Sequence, residues 1–267
     1  MQEKSWISTV VGIGERGHIL LHEVQSRMKS EKDDAMKGED IMLCRLWHIP
    51  TGSAIAKETI EENCRGIGIA FFLMDASDEE SAKYAQCIAD FVKTQYYAVS
   101  IAILPDSCAK TTDSILSSVD AVVDLNACVS SGGFAQAYMA YCVIRGINGL
   151  IVKPGLIGLD AIDLAEQLHK TGLLHVGYGN VGTDHDDEAI ATATKDALSQ
   201  IKCTNVKRIV LCFEGKADTL DMIDICSSVE TVEKAMPDAS ILYGATKSES
   251  IGDMVRVLIV ASEIPSE

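Results

Sequence analysis

Short apolar runs alternate with amphipathic stretches along the whole chain. Residues 6–14, 41–47, 66–74, 97–104 and 121–125 read as strands, and the third is almost wholly apolar, as a strand covered on both faces of a parallel sheet must be. Between them, residues 18–29 and 78–93 repeat apolar positions at helical spacing; in the second, Ala82, Ala85, Ile88, Ala89 and Val92 share one side. Residues 28–40 are polar and charged, a solvated loop or helix end, and the stretch before Asn63 has no clear period. Residues 134–150 are apolar nearly all round, which predicts a buried helix. Beyond Pro154 come a helix (160–170), a strand (173–178), a helix (186–199), a strand (208–213), a helix (219–235) and two successive strands (240–244, 253–261).

The alternation predicts an α/β fold of two lobes. An N-terminal, Rossmann-like, mostly parallel sheet occupies residues 1–133, and a central buried helix (134–152) joins it to a smaller C-terminal mixed α/β sheet (153–267).

Composition narrows the partners. Hydrophobic residues are 47% of the 267 and charged residues 23%, enough apolar surface for a core and too much for a disordered chain. The net charge of −16 sets the protein's field against phosphate backbones, so nucleic acid and anionic membrane surfaces are not expected partners. The nine cysteines are odd in number, form no C-x-x-C and sit mostly in apolar runs, as buried small hydrophobes in a reducing compartment would. With no signal-like opening and no apolar stretch reaching about 18 residues, the expectation is a cytoplasmic protein without membrane insertion.

The first candidate chemistry is Gly12-Ile13-Gly14-Glu15-Arg16-Gly17, between a strand and a helix. Glycines there allow a tight turn and let a phosphate approach the free N–H groups of the helix start. A turn that needs glycine for its dihedrals explains the same residues. A dinucleotide site would also want an acid ending the second strand for the ribose, but that strand reads Met42-Leu43-Cys44-Arg45. A second run, Ser130-Ser131-Gly132-Gly133, precedes the central helix and reads either as a hinge or, through Ser131, Gly132 and Gly133, as an anion-binding turn.

The second half is more specific. Lys153-Pro154-Gly155-Leu156-Ile157-Gly158-Leu159-Asp160-Ala161-Ile162-Asp163 resembles the FtsZ family's K-P-G-L-I-N-L-D-F-A-D, the loop after that family's central helix. Gly172-Leu173-Leu174-His175-Val176-Gly177-Tyr178-Gly179 resembles its G-L-A-M-M-G-T-G strand. Ser240-Ile241-Leu242-Tyr243-Gly244-Ala245, followed by Gly252-Asp253-Met254-Val255-Arg256-Val257, is similar to its A-N-I-I-F-G-A and D-E-V-R-V blocks. By resemblance the chain is a divergent, shortened member of the FtsZ/tubulin superfamily. The resemblance implies a nucleotide-binding lobe, a central helix and head-to-tail self-association. It also implies that Asp160 and Asp163 act in trans, polarising the water that attacks a γ-phosphate on the next subunit. Taken alone, the two aspartates are an N-cap and a dipole-compensating acid.

The chain departs from the family where phosphates would bind. In place of a G-G-G-T-G-T-G loop after the third strand stands Leu73-Met74-Asp75-Ala76-Ser77-Asp78-Glu79-Glu80-Ser81, in which Ser77 and Glu80 read as a capping box. Two like charges about 6 Å apart cost roughly 3 kcal/mol at an effective dielectric of about 20. Two such contacts would offset much of the roughly 8 kcal/mol of a micromolar ligand, although magnesium could bridge carboxylates and phosphates. The first loop has Glu15, Arg16, His18 and Ile19 where the family has small residues and asparagines, and residues 126–133 form a shorter connection than the family's.

The expected protein is therefore a self-associating cytoskeletal or scaffold protein, or one that binds a protein partner, with a degenerate GTP site and no cofactor. The alternatives are a working GTPase that holds GTP and Mg2+ at Gly12, Gly14 and Gly17, and a small-ligand module on the same fold. The predicted last strand ends six residues before the C-terminus, which predicts no tail for membrane tethers. His18 and His22 have metal-ligand spacing without a third ligand, and residues 184–188 read as a helix start capped by Thr183 or Asp184.

Overall fold

The computed structural model describes residues 7–30, 44–52, 55–94, 98–105, 114–132, 135–153, 155–183 and 188–263. Its strands are β1 (Ile7–Ile13), β2 (Cys44–Ile49), β3 (Ile67–Met74), β4 (Val99–Leu104), β5 (Ala121–Asp124), β6 (Gly155–Ile157), β7 (Gly172–Gly182), β8 (Arg208–Gly215), β9 (Ser240–Lys247) and β10 (Met254–Ser262). They form one sheet in the order β2-β1-β3-β4-β5-β7-β10-β8-β9-β6. β2 through β5 are parallel throughout. β10 is antiparallel to both β7 and β8, and β6 to β9, while β8 and β9 are parallel. The halves meet where β5 and β7 pair in parallel over three residues, Ala121, Val122 and Val123 opposite Gly172, Leu173 and Leu174.

Helices cover both faces. α1 (Gly14–Ser30), α4 (Leu125–Gly132), the central α5 (Gln136–Val152) and α6 (Ala161–Leu168) share one core with the strands. On the other face, α2 (Lys57–Cys64) and α3 (Glu79–Val92) pack on the parallel half, and α7 (Ala189–Ser199) and α8 (Met222–Ala235) on the mixed half. The strand period of two explains the apolar run of β3: Ile69, Phe71 and Leu73 point to the first core, Ala70, Phe72 and Met74 to the second.

The apolar circumference of α5 is buried as the pattern predicts, and its few polar residues fasten it to the sheet. Asn148 accepts a hydrogen bond from Ser8 of β1. Arg145 donates through Nε and Nη2 to Glu214 of β8 at 2.6–3.0 Å, and Lys153 Nζ lies 2.9 Å from the same carboxylate. Arg256 of β10 is 3.7 Å away. Burial alone would raise the Glu214 carboxyl, but Lys153, Arg145 and Arg256 together hold it well below the usual carboxylate range.

Several local expectations need correction. Residues 130–132 are not a break in the chain: Ser130, Ser131 and Gly132 form the last turn of α4, while Gly133 lies outside the described residues. The aperiodic stretch before Asn63 contains α2, which carries exposed Lys57–Glu61 and Arg65–Glu61 pairs. α7 begins at Ala189 with Glu188 in the cap position, so Thr183 does not cap it; Asp184 to Asp187 lie outside the described residues. Cys64, Cys128, Cys142 and Cys212 are buried as expected, whereas Cys87 and Cys226 are exposed. Burial pushes the Cys64 thiol up to about 11 and the Cys128 thiol to about 12. Among the described residues, no helix is long and apolar enough to cross a membrane.

Candidate functional site

In a parallel sheet with order 2-1-3-4-5, the connections leave in opposite directions at β1 and β3, and ligands bind at the carboxyl ends of those two strands. The sequence places the glycine loop after β1 and the acidic segment after β3, so both border this crevice.

The glycines have separate duties. Gly14 opens α1 at φ +72°, a left-handed conformation that side chains disfavour. Gly17 lets α1 lie against β3, since a Cβ there would stand 2.1 Å from the carbonyl oxygen of Leu73. Gly12 sits opposite Gly17 at the same close approach.

Beyond Gly14 the space is taken by the chain itself. A Cβ on Gly14 would meet Ser81 Oγ at 2.7 Å and Asp78 Oδ2 at 3.5 Å. The Asp78 carboxylate caps α3, accepting from the N–H groups of Glu80 and Ser81 (both 3.3 Å) and from the Ser81 hydroxyl. Capping therefore falls to Asp78 rather than to the Ser77–Glu80 box. Ser77 donates instead to Asp75 Oδ1 through its N–H (2.9 Å) and hydroxyl (2.6 Å). Glu80 Oε1 accepts from Gly52 N–H (2.9 Å) and the Tyr84 hydroxyl (2.6 Å), tying the turn after β2 to α3. The spacing of Glu80 and Tyr84, four apart on one helix, was a readable signal for that contact; the part of Gly52 was not.

His48, near the end of β2, hydrogen-bonds the backbone of Gly14 and packs against His18, with ring centroids 4.1 Å apart and planes tilted by 43°. Burial and the neighbouring His18 lower the His48 pKa. His18 is thus engaged across the crevice, and His22 is exposed one turn further on. A cavity of about 480 Å³ opens between α1 and the start of α5, lined by Arg16, Ile19, Glu23, Pro105 and Gln136. Gln136 Nε2 donates to Pro105 O (2.5 Å) and Asn126 Oδ1 (2.7 Å), which fixes the start of the central helix.

The remaining candidates stand elsewhere. Ser131 and Gly132 close α4, where helix carbonyls rather than N–H groups are presented. Asp160 caps α6, its Oδ1 accepting from Ile162 N–H at 2.7 Å, and Asp163 lies in the first turn; both are exposed. Asp160 follows the edge strand β6, at the opposite margin of the sheet from β2 and β1. From there α6 runs toward the amino ends of β5 and β8, where His169 Nδ1 is 2.8 Å from Asp120 Oδ1 and Gln167 donates to Ile209 O. Gly12, Gly14 and Gly17 are brought together with Asp78; within one chain Asp160 and Asp163 do not join them.

Comparison with known proteins agrees with this architecture. No family model matches the chain. It is 31% identical over 126 residues to the cell division protein FtsZ 1 of Archaeoglobus fulgidus, across 46% of this chain and 34% of that protein. It is 29% identical over 125 residues to FtsZ of Methanothermobacter thermautotrophicus, across 46% and 32%. The matched stretch thus spans about a third of these relatives' own length. Among solved structures, an empty FtsZ dimer from M. jannaschii superposes with a TM-score of 0.75 at 19% identity, covering 99% of this chain and 90% of that one. The GTPγS-bound CetZ2 protofilament of Haloferax volcanii superposes with a TM-score of 0.62 at 15% identity, covering 97% and 95%. The chain thus has an FtsZ-like fold over nearly its whole length and FtsZ-like sequence over almost half of it.

Proposed function

We propose that the protein is a cytoplasmic, tubulin-like cytoskeletal or scaffold protein that self-associates head to tail without a GTP cycle. The observation that carries this reading is the Asp78 carboxylate beside Gly14. It occupies the N–H groups at the start of α3 that a phosphate would use, and it adds negative charge where a triphosphate would need positive. The exposed apolar side chains support self-association. Leu156 (37% exposed) and Ile162 (38%) flank Asp160, and Ile19 (51%) lies beside the glycine loop at the other end of the molecule. Two neighbours by fold are a dimer and a protofilament.

The deciding experiment is a titration with fluorescent GTP, with and without Mg2+, alongside sedimentation over a range of protein concentrations. The expected result is no saturable binding up to millimolar GTP and assembly that needs no nucleotide. Monomers at every concentration would remove the self-association.

A second reading is favoured by the exposure of Asp160 and Asp163 away from their own glycine loop, as a site shared between subunits requires. It is a GTPase with GTP and Mg2+ held at Gly12, Gly14 and Gly17 and the two acids supplied by the next copy. It predicts micromolar GTP binding and phosphate release that rises more than linearly with protein concentration and is lost in Asp160→Ala.

A further inference from the structure

We propose that His175, Cys203 and Glu263 form a site for a zinc-class divalent metal ion that fastens the loop between α7 and β8 to two inner strands of the sheet. Their imidazole nitrogen, thiol sulfur and carboxylate oxygen lie within 4.8 Å of one another.

The placement follows from strand register. His175 on β7 lies directly opposite Ala261 on β10. Directly opposed residues share a face of the sheet, and so do residues two apart on one strand. Glu263, two beyond Ala261, therefore continues on the face that carries His175. That face looks toward α7, because Gly177 and Gly179 run beneath it; a Cβ at either would approach the carbonyl of Ala197 or Ala193 to within 2.0 Å. Cys203 comes four residues after Ser199, the end of α7, and so reaches the same spot. Just beyond it, Lys207 N–H donates to Ser262 O at 2.9 Å, which holds the loop against the end of β10.

The donor set suits zinc. Nitrogen, sulfur and carboxylate oxygen are its usual ligands, with bonds of about 2.0–2.3 Å, which put neighbouring ligand atoms roughly 3.3–3.7 Å apart in a tetrahedron. The three donors need to close by about 1 Å, and the exposed Glu263 has the freedom to do so. A carboxylate alone would suit calcium or magnesium; the thiol and imidazole select against them. Three protein ligands leave a fourth position for water. On binding, the thiol gives up its proton to solvent and the sulfur becomes an anionic ligand.

The test is a titration of the metal-stripped full chain with Co2+, a spectroscopic stand-in for zinc. The expected result is one Co2+ per chain, with a thiolate-to-cobalt charge-transfer band in the near ultraviolet and tetrahedral visible bands, all abolished by added Zn2+. Cys203→Ser, folded as judged by circular dichroism, should lose the charge-transfer band. His175→Gln and Glu263→Gln should each weaken binding by at least the roughly tenfold that loss of even an outer ligand partner costs. The absence of a charge-transfer band in the unaltered protein would overturn the proposal. So would a band that persists unchanged in Cys203→Ser, since another of the nine cysteines would then be the ligand.

Discussion

Gly17 marks the point where α1 comes closest to the sheet, and a single methyl group there has nowhere to go. Backbone, not a pliable side chain, faces it at 2.1 Å, so the helix itself would have to move. Gly17→Ala should cost about 3 kcal/mol or more, toward the upper end for overpacking, seen as a lower urea midpoint with an unchanged m-value. Glu214 is the second residue on which much depends. Its folded-state pKa lies below the ordinary 4.5, so its contribution to stability is complete above that pH and is lost as the pH falls toward the folded value. Glu214→Gln should be destabilised by about 3–5 kcal/mol at neutral pH, because Arg145 and Lys153 would lose the buried carboxylate they share. The gap between the two proteins should narrow in urea melts taken below pH 4.5. The glycines could be read from the sequence because their spacing has a local cause. Glu214 could not, because its partner Arg145 is 69 residues away and only the fold brings them together.

At the scale of elements, the start of α3 brings a carboxylate to the edge of the crevice beside Gly14. Asp78 acts both as a cap and as a charge, and these can be separated by substitution. Asp78→Ser keeps a capping oxygen and removes the charge, while Glu80→Gln removes the second charge and keeps an acceptor for Gly52. If charge is what excludes phosphates, the double variant should bind fluorescent GTP measurably more tightly than the parent, with little loss of stability. An unchanged titration would point to steric closure by Ser81 instead. Strands with long apolar runs and the helices α3 and α5 were legible, since their periodicity extends over many residues. The elements missed were those whose cause is not periodic. α2 is rich in charge and short; α4 runs through serines and a glycine that weaken its intrinsic preference; and β6 has only three residues, paired with β9 at the sheet edge.

For the whole molecule, the consequence of most interest is assembly. Leu156 and Ile162 are exposed beside Asp160, and burying them against another copy would supply the apolar contact that a stable interface needs. Leu156→Asp with Ile162→Asp should leave thermal stability within about 1 kcal/mol of the parent, as expected of exposed positions, and shift sedimentation toward monomer. Apart from α2, α4 and β6, the order of the elements was legible from end to end. That the two groups of strands form one ladder was not, because the seam between β5 and β7 joins segments 51 residues apart at Ala121 and Gly172 through only three residue pairs. That seam bears on how the protein can be divided. Fragments separated between β5 and β7 would each carry a raw strand margin of unpaired peptide groups, on one the flank of β5 and on the other the flank of β7. Produced apart, such pieces should precipitate or recombine with each other rather than persist as soluble units.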